Sequence, residues 1–179
     1  VIDCGYDDAM STREAKLCAK QLMLCFADNR GHLDPYDLHF CNVKYDLKTM
    51  TELNKFIRPI RENWFPLHLH EKSYLDIFPR KNLVYLTPHC RETLTTFNHD
   101  DIYIIGALVD RSGSEPLSLA KAKNEKLRMA KLPLDQYLKW GTGSTKSLTL
   151  DQVLKIMLDI KLTNDWNKAL VHVPKRKLM

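Results

Sequence analysis

Asp110 closes the longest β-rich apolar run of the chain, Tyr103-Ile104-Ile105-Gly106-Ala107-Leu108-Val109. A continuously apolar strand suits a parallel sheet covered on both faces. Open α/β sheets place ligands beyond the carboxyl ends of their strands, where Asp110 would then stand. A carboxylate there accepts a proton once burial raises its pKa. The competing reading, which composition alone favours, is a turn-forming Asp that leads into Ser112-Gly113. Thr87 and Leu132-Pro133-Leu134 end two other predicted strands. In a parallel sheet these three ends crowd together at one edge.

A second chemistry is suggested by charge. Lys121, Lys123, Lys126, Arg128 and Lys131 fall close together with only Glu125 opposing them, and Lys175-Arg176-Lys177 follows near the last residue. With 27 basic and 22 acidic residues the net charge is +5. Such runs are usually a solvated helix face. Two separate clusters nevertheless tilt the reading toward RNA, because lysines and arginines that track phosphates release condensed counterions.

Other constellations exclude more than they suggest. Gly141-Thr142-Gly143-Ser144-Thr145-Lys146-Ser147 lacks the glycine that a phosphate-binding loop needs before its lysine, and no strand leads into it. Gly106 is followed by no dinucleotide fingerprint. His68-Leu69-His70-Glu71 converges only from a strand-like or irregular segment, and no third ligand has zinc-finger spacing, so surface imidazoles are expected. No Ser, Cys or Lys sits in a recognisable nucleophile motif. The 5 cysteines are odd in number and without a C-x-x-C pair, which reads as reduced thiols. No apolar stretch approaches the roughly 20 residues of a bilayer-spanning helix.

The elements that must position these residues alternate. Val1 to Cys4 is β-prone, and Ser11-Thr12-Arg13-Glu14 supplies a capping box for a helix that Asn29-Arg30-Gly31 stops. Leu38 to Val43 alternates like a strand, and residues 48–63 read as a weak helix kinked or ended by Pro59. Asn82 to Thr87 and Asp101 to Asp110 are strands. A basic helix spans Leu117 to about Lys126, a short edge spans Met129 to Leu134, and Gly141 to Ser144 is a flexible connection. Thr149-Leu150-Asp151-Gln152 caps a second amphipathic helix, and a short one covers about Asp165 to Val171. With 179 residues and 44% hydrophobic composition, this order predicts an α/β fold with a mostly parallel sheet.

Four strings then carry a family likeness: Tyr85-Leu86-Thr87, Tyr103 to Asp110, Ser118-Leu119-Ala120-Lys121-Ala122 and Leu132-Pro133-Leu134-Asp135-Gln136-Tyr137. Together they resemble the tRNA purine-9 N1-methyltransferase family of the SPOUT superfamily. The likeness continues through Asp3, Tyr6-Asp7-Asp8, Met10, Glu14, Gln21 and Asn29-Arg30, and through Asp165-Trp166, Ala169 and Pro174-Lys175-Arg176-Lys177. Glu71-Lys72-Ser73, Asp76-Ile77-Phe78-Pro79 and Thr95 to Asp100 resemble the mitochondrial branch, the methyltransferase subunit of protein-only ribonuclease P.

The resemblance implies one SPOUT domain over residues 1–179 with a C-terminal trefoil knot at roughly 82–162, and with targeting and tRNA-binding regions outside this chain. It implies S-adenosylmethionine held by Leu86, Thr87, Gly106, Ala107, Arg111, Ser112, Gly113, Ser114, Glu115, Ser118, Leu132, Lys146, Ser147 and Leu148. Asp110 matches the family's proposed general base, with no metal. Phosphates would meet Lys121, Lys123, Lys126, Arg128, Lys131, Lys175, Arg176 and Lys177. The implied partners are tRNA and precursor tRNA, a short-chain dehydrogenase subunit and a metallonuclease subunit, in the mitochondrial matrix and without a membrane. A Gly-Gly pair is common in the family where Gly106-Ala107 stands, and Pro88-His89 also departs from its pattern, which bears on cofactor affinity. A tRNA-holding scaffold that presents precursor tRNA to a nuclease is the alternative to an active methyltransferase.

Overall fold

Ile2–Asp3 forms β1, and Ser11 then opens α1 (Thr12–Gly31) as its spacing requires. Ser11 Oγ accepts the Glu14 N–H at 3.1 Å, while the Glu14 carboxylate takes the Ser11 N–H at 2.8 Å. The computed structural model describes residues 1–110 and 115–179. After β2 (His39–Cys41), α2 (Lys48–Phe56) ends ahead of Pro59, which enters a 3-10 turn, Arg58–Arg61. Asp7 receives the Thr49 N–H at 3.0 Å and the Thr49 hydroxyl at 2.6 Å, which fastens the start of α2 to the residues after β1.

The remaining strands are β3 (His68–Leu69), β4 (Leu83–Leu86), β5 (Ile102–Gly106) and β6 (Arg128–Ala130). They form one sheet in the order β3-β2-β1-β5-β4-β6. Every pairing within it is parallel, as the alternation of elements predicts. The remaining helices are α3 (Leu117–Asn124), α4 (Leu134–Tyr137), α5 (Leu150–Thr163) and α6 (Trp166–Ala169). α1 packs on α2 and α5, α5 packs on α6, and α3 lies against β4 and β6. One apolar cluster runs from Ile2 to Val173, with Phe40, Tyr74 and Tyr85 among its largest fully buried side chains. Among the described residues, no helix is long and apolar enough to cross a membrane.

Three boundaries differ from expectation. β5 ends at Gly106 rather than continuing to Asp110. The Ala107 N–H still reaches Asp3 O at 2.8 Å, but the Leu108 N–H turns back onto Gly106 O at 2.9 Å, and this tight turn carries the chain off the sheet. α3 stops at Asn124, because Lys126 takes a left-handed backbone (φ 56°). β6 occupies only Arg128–Ala130, and Leu134 already begins α4.

Candidate active site

The strand register sets the floor of the site. Leu86 lies between Ile105 and Ala130, and Gly106 lies beside Asp3, so the carboxyl ends of β1, β5, β4 and β6 are level. Thr87 extends this edge. Its N–H binds Ala130 O at 3.0 Å, and its buried Oγ1 meets Ser118 Oγ at 2.7 Å. The start of α3 is thereby tied to the end of β4. Lys131 donates its N–H to Glu92 O and accepts the Leu94 N–H, both at 2.8 Å, which sets the path into Leu132. Leu108, Leu132 and Leu148 are half-buried and pack on the core. Ala107 is buried in the core cluster.

A charged network lies beneath the edge. The Asp3 carboxylate is inaccessible to solvent and receives Tyr85 Oη at 2.7 Å, Lys121 Nζ at 2.6 Å, Asn42 Nδ2 at 2.9 Å and the Gly5 N–H at 3.0 Å. Tyr6 Oη pairs with Tyr85 Oη at 2.5 Å. Burial, with Asp3 nearby, pushes both phenols well above their ordinary pKa, so they act as neutral hydrogen-bonding groups. Gly106 makes this possible: a Cβ there would stand 3.0 Å from Tyr6 and 3.1 Å from Tyr85 Oη.

Asp110 is half-buried and lies four residues beyond the last residue of β5, so it belongs to the exit segment and not to the strand itself. That segment is anchored just ahead of it, where the Val109 N–H meets Met10 Sδ at 3.4 Å. Arg111, Ser112, Gly113 and Ser114 lie outside the described residues. Glu115 is exposed, and its carbonyl accepts the Leu117 N–H at 3.0 Å. Lys146 and Ser147 are exposed, with Lys146 Nζ paired to Asp135 at 2.6 Å. A groove of about 460 Å³ runs along β6 from Arg128 to Ala130 and along the Glu92–Thr96 segment, past Tyr103 and Met129.

The basic residues divide into two groups, and three of the expected phosphate contacts are already engaged within the fold. Lys121 holds Asp3. Arg128 binds Asp101 at 2.6 Å and Lys81 O at 2.6 Å. Lys177 reaches back to Thr145 O at 3.0 Å and Ser147 O at 2.7 Å, so it fastens the 145–147 loop. Lys123, Lys126, Lys175 and Arg176 are exposed, and Lys131 is half-buried.

The sequence reading assigned no role to the Asp3–Tyr6–Tyr85–Lys121 network. Its members come from three separate segments, and although all four lie in the strings that carry the family likeness, nothing in their spacing joins them. His68 and His70 are likewise more than scattered surface imidazoles, because His39 stacks against both.

A parallel α/β sheet whose level carboxyl edge carries hydroxyls, a glycine, half-buried leucines and an adjacent acid defines a ligand-binding α/β domain. The chain belongs to the family described as tRNA (guanine(9)-N(1))-methyltransferase TRM10/TRM10A, whose profile matches residues 1–178. It is 58% identical over 179 residues to the Drosophila melanogaster mitochondrial ribonuclease P protein 1 homolog, covering 100% of this chain and 40% of that one. It is 36% identical to a Schizosaccharomyces pombe tRNA (guanine(9)-N1)-methyltransferase, covering 99% of this chain and 58% of the relative. The crystal structure of full-length spTrm10 in complex with SAH superposes with a TM-score of 0.85 at 32% identity, covering 97% of this chain and 93% of that one. The expected SPOUT-type sheet flanked by helices is thus the architecture of this family. The chain spans about 40 to 58% of the length of these two curated relatives.

Proposed function

We propose that this chain is the catalytic part of a longer S-adenosylmethionine-dependent enzyme that methylates N1 of guanine at position 9 of tRNA. The observation that carries this reading is the half-buried Asp110 on the segment leaving a level carboxyl edge, in a fold superposing on a relative solved with SAH. The donor set fits an adenosyl group. The Thr87 and Ala107 N–H groups are taken up by Ala130 O and Asp3 O, so the carbonyl oxygens of these two residues are the groups that would accept hydrogen bonds, and Leu132 and Leu148 offer apolar faces.

When bound, the cofactor supplies an electrophilic methyl group on a sulfonium. The remaining steps belong to the protein. The Thr87–Ser118 hydroxyl pair keeps α3 against the strand ends. Lys177 holds the loop that carries Lys146, Ser147 and Leu148. Guanine N1 carries a proton, and Asp110 takes it, leaving the nitrogen lone pair free to attack. Adenine N1 already presents that lone pair and needs no base. Much of the acceleration comes from alignment of the base, and position 9 must leave its stack to be reached.

The chain's place in the family supports finer statements. Residues 1–179 act as one SPOUT domain, with roughly 82–162 threaded as the cofactor-binding knot. The 58% identity to a ribonuclease P protein 1 homolog favours a mitochondrial location. It also favours a second role, holding precursor tRNA for 5′ processing beside a short-chain dehydrogenase and a metallonuclease. Lys123, Lys126, Lys131, Lys175 and Arg176 are the basic residues left for tRNA phosphates.

The test uses the full-length protein with tRNAs bearing guanine or adenine at position 9. Asp110→Asn is expected to lower guanine methylation by about 10²- to 10⁴-fold, with adenine methylation and tRNA binding largely kept. Unchanged guanine methylation removes Asp110 from the mechanism. Absent methylation by the wild-type protein, with tRNA binding intact, leaves the scaffold role alone.

A further inference from the structure

Asp37 and His39 lie two residues apart on one strand line, and His68 and His70 do so on the neighbouring line, so all four share one face of the sheet. The β2–β3 register pairs His39 directly with His68. The rings of these two stack with centroids 4.2 Å apart, and the ring of His70 lies 5.2 Å from that of His39 on its own side. Phe78 meets His39 edge-on at 5.2 Å. Asp37 bridges the first pair, with Oδ2 3.1 Å from His39 Nε2 and Oδ1 2.8 Å from His68 Nε2.

We propose that Asp37, His39 and His68 form a binding site for a divalent transition-metal ion of the zinc type, at the opposite end of the sheet from the Leu86–Gly106 edge. One donor atom from each residue lies within 4.8 Å of the other two. A tetrahedral zinc ion, with bonds of about 2.0–2.2 Å, spaces its donors at about 3.3–3.5 Å. The required closure is small, and the Asp37 side chain, 75% exposed, is free to swing, while that of His39, 16% exposed, is held by its neighbours.

His70 completes the arrangement as a positioning residue. His39 Nδ1 and His70 Nε2 are 2.9 Å apart and share one proton. With that proton on His39 Nδ1, the Nε2 lone pair of His39 faces the Asp37 carboxylate, which is where a cation belongs. Two imidazoles and a carboxylate favour zinc, copper or nickel over magnesium. A metal there would clamp the two-residue edge strand β3 to β2, and the exposure of Asp37 and His68 leaves a fourth position to water.

The experiment titrates metal-free protein separately with Co²⁺, Zn²⁺ and Mg²⁺. Co²⁺ is expected to develop visible d–d bands that Zn²⁺ abolishes. Zn²⁺ is also expected to raise the melting temperature through native-state binding, and Mg²⁺ to do neither. His68→Gln and Asp37→Asn alter exposed side chains, leave folding measurable by circular dichroism, and should remove the bands. His70→Phe should weaken Zn²⁺ binding by about 10-fold or more. His172→Ala, at the separate His32–Asp159–His172 cluster, should leave the Co²⁺ bands and the Zn²⁺-induced rise in melting temperature in place. Wild-type protein that Zn²⁺ does not stabilise overturns the proposal, as do Co²⁺ bands that persist in a folded Asp37→Asn/His68→Gln double variant.

Discussion

Lys121→Met separates two roles for one lysine. Composition placed Lys121 among the phosphate contacts, whereas its Nζ lies 2.6 Å from a carboxylate, Asp3, that solvent does not reach. Methionine keeps the apolar stem, so the substitution removes mainly the charge. Breaking a buried pair by deleting one partner costs about 3–5 kcal/mol. Asp3 would retain Tyr85, Asn42 and the Gly5 N–H, which places the loss near the lower end, about 3 kcal/mol. For a chain of this size that corresponds to a fall in Tm of about 6–12 °C. Urea unfolding should show a lower midpoint at constant slope. Asp3→Asn/Lys121→Met should recover part of the loss, because the two residues are coupled. The tRNA affinity of the folded full-length variant should be nearly unchanged. A wild-type urea midpoint combined with weakened tRNA binding would refute the structural role and restore the phosphate contact.

Two further predictions concern ionisable groups away from that network. Burial alone raises the Asp159 carboxyl pKa, but hydrogen bonds with His32 and His172 outweigh it and leave the net shift downward. A depressed carboxylate contributes stability above its unfolded pKa of about 3.9 and loses it as pH falls through the folded value. The gap in urea midpoint between wild type and Asp159→Asn should therefore shrink as the buffer is taken from pH 6 toward pH 3, and a constant gap would contradict this. All five cysteines are buried free thiols. Burial raises Cys4 and Cys25 well above the usual range, Cys18 to about 12 and Cys41 to about 11. Since the thiolate is the reactive form, native protein at pH 8 should resist a chromogenic disulfide reagent until denaturant is added. A fast-reacting native thiol would count against this packing.

What could be read from sequence follows from local chemistry. Ser11 and Glu14 announce the start of α1 because both halves of their capping box lie within one turn. Pro59 marks the end of α2 because it lacks a donor, and alternating elements imply a parallel sheet. The run to Asp110 misled at its end for a physical reason. Ala107 to Val109 is apolar because the segment packs on the core, but its backbone bonds to Asp3, Gly106 and Met10 rather than continuing a two-sided ladder. Hydrophobicity reports burial, not strand pairing. Lys121 misled because Asp3 lies 118 residues away along the chain. His68 lacked a visible third ligand because strand register, not sequence spacing, brings His39 beside it. The ends of β4 and β6 do lie side by side, with Leu86 beside Ala130, although β6 stops two residues before Leu132.

The position of β1 has a consequence for synthesis. The earliest of the six strands in chain order lies in the interior of the sheet, between β2 and β5, and Ile2 meets Ile105 across a separation of 103 residues. While the ribosome is still producing those residues, one side of that strand remains unpaired and open to unintended neighbours. Contacts so distant in sequence slow folding and prolong this exposure. The nascent chain should therefore depend on chaperones early, well before its last helix emerges.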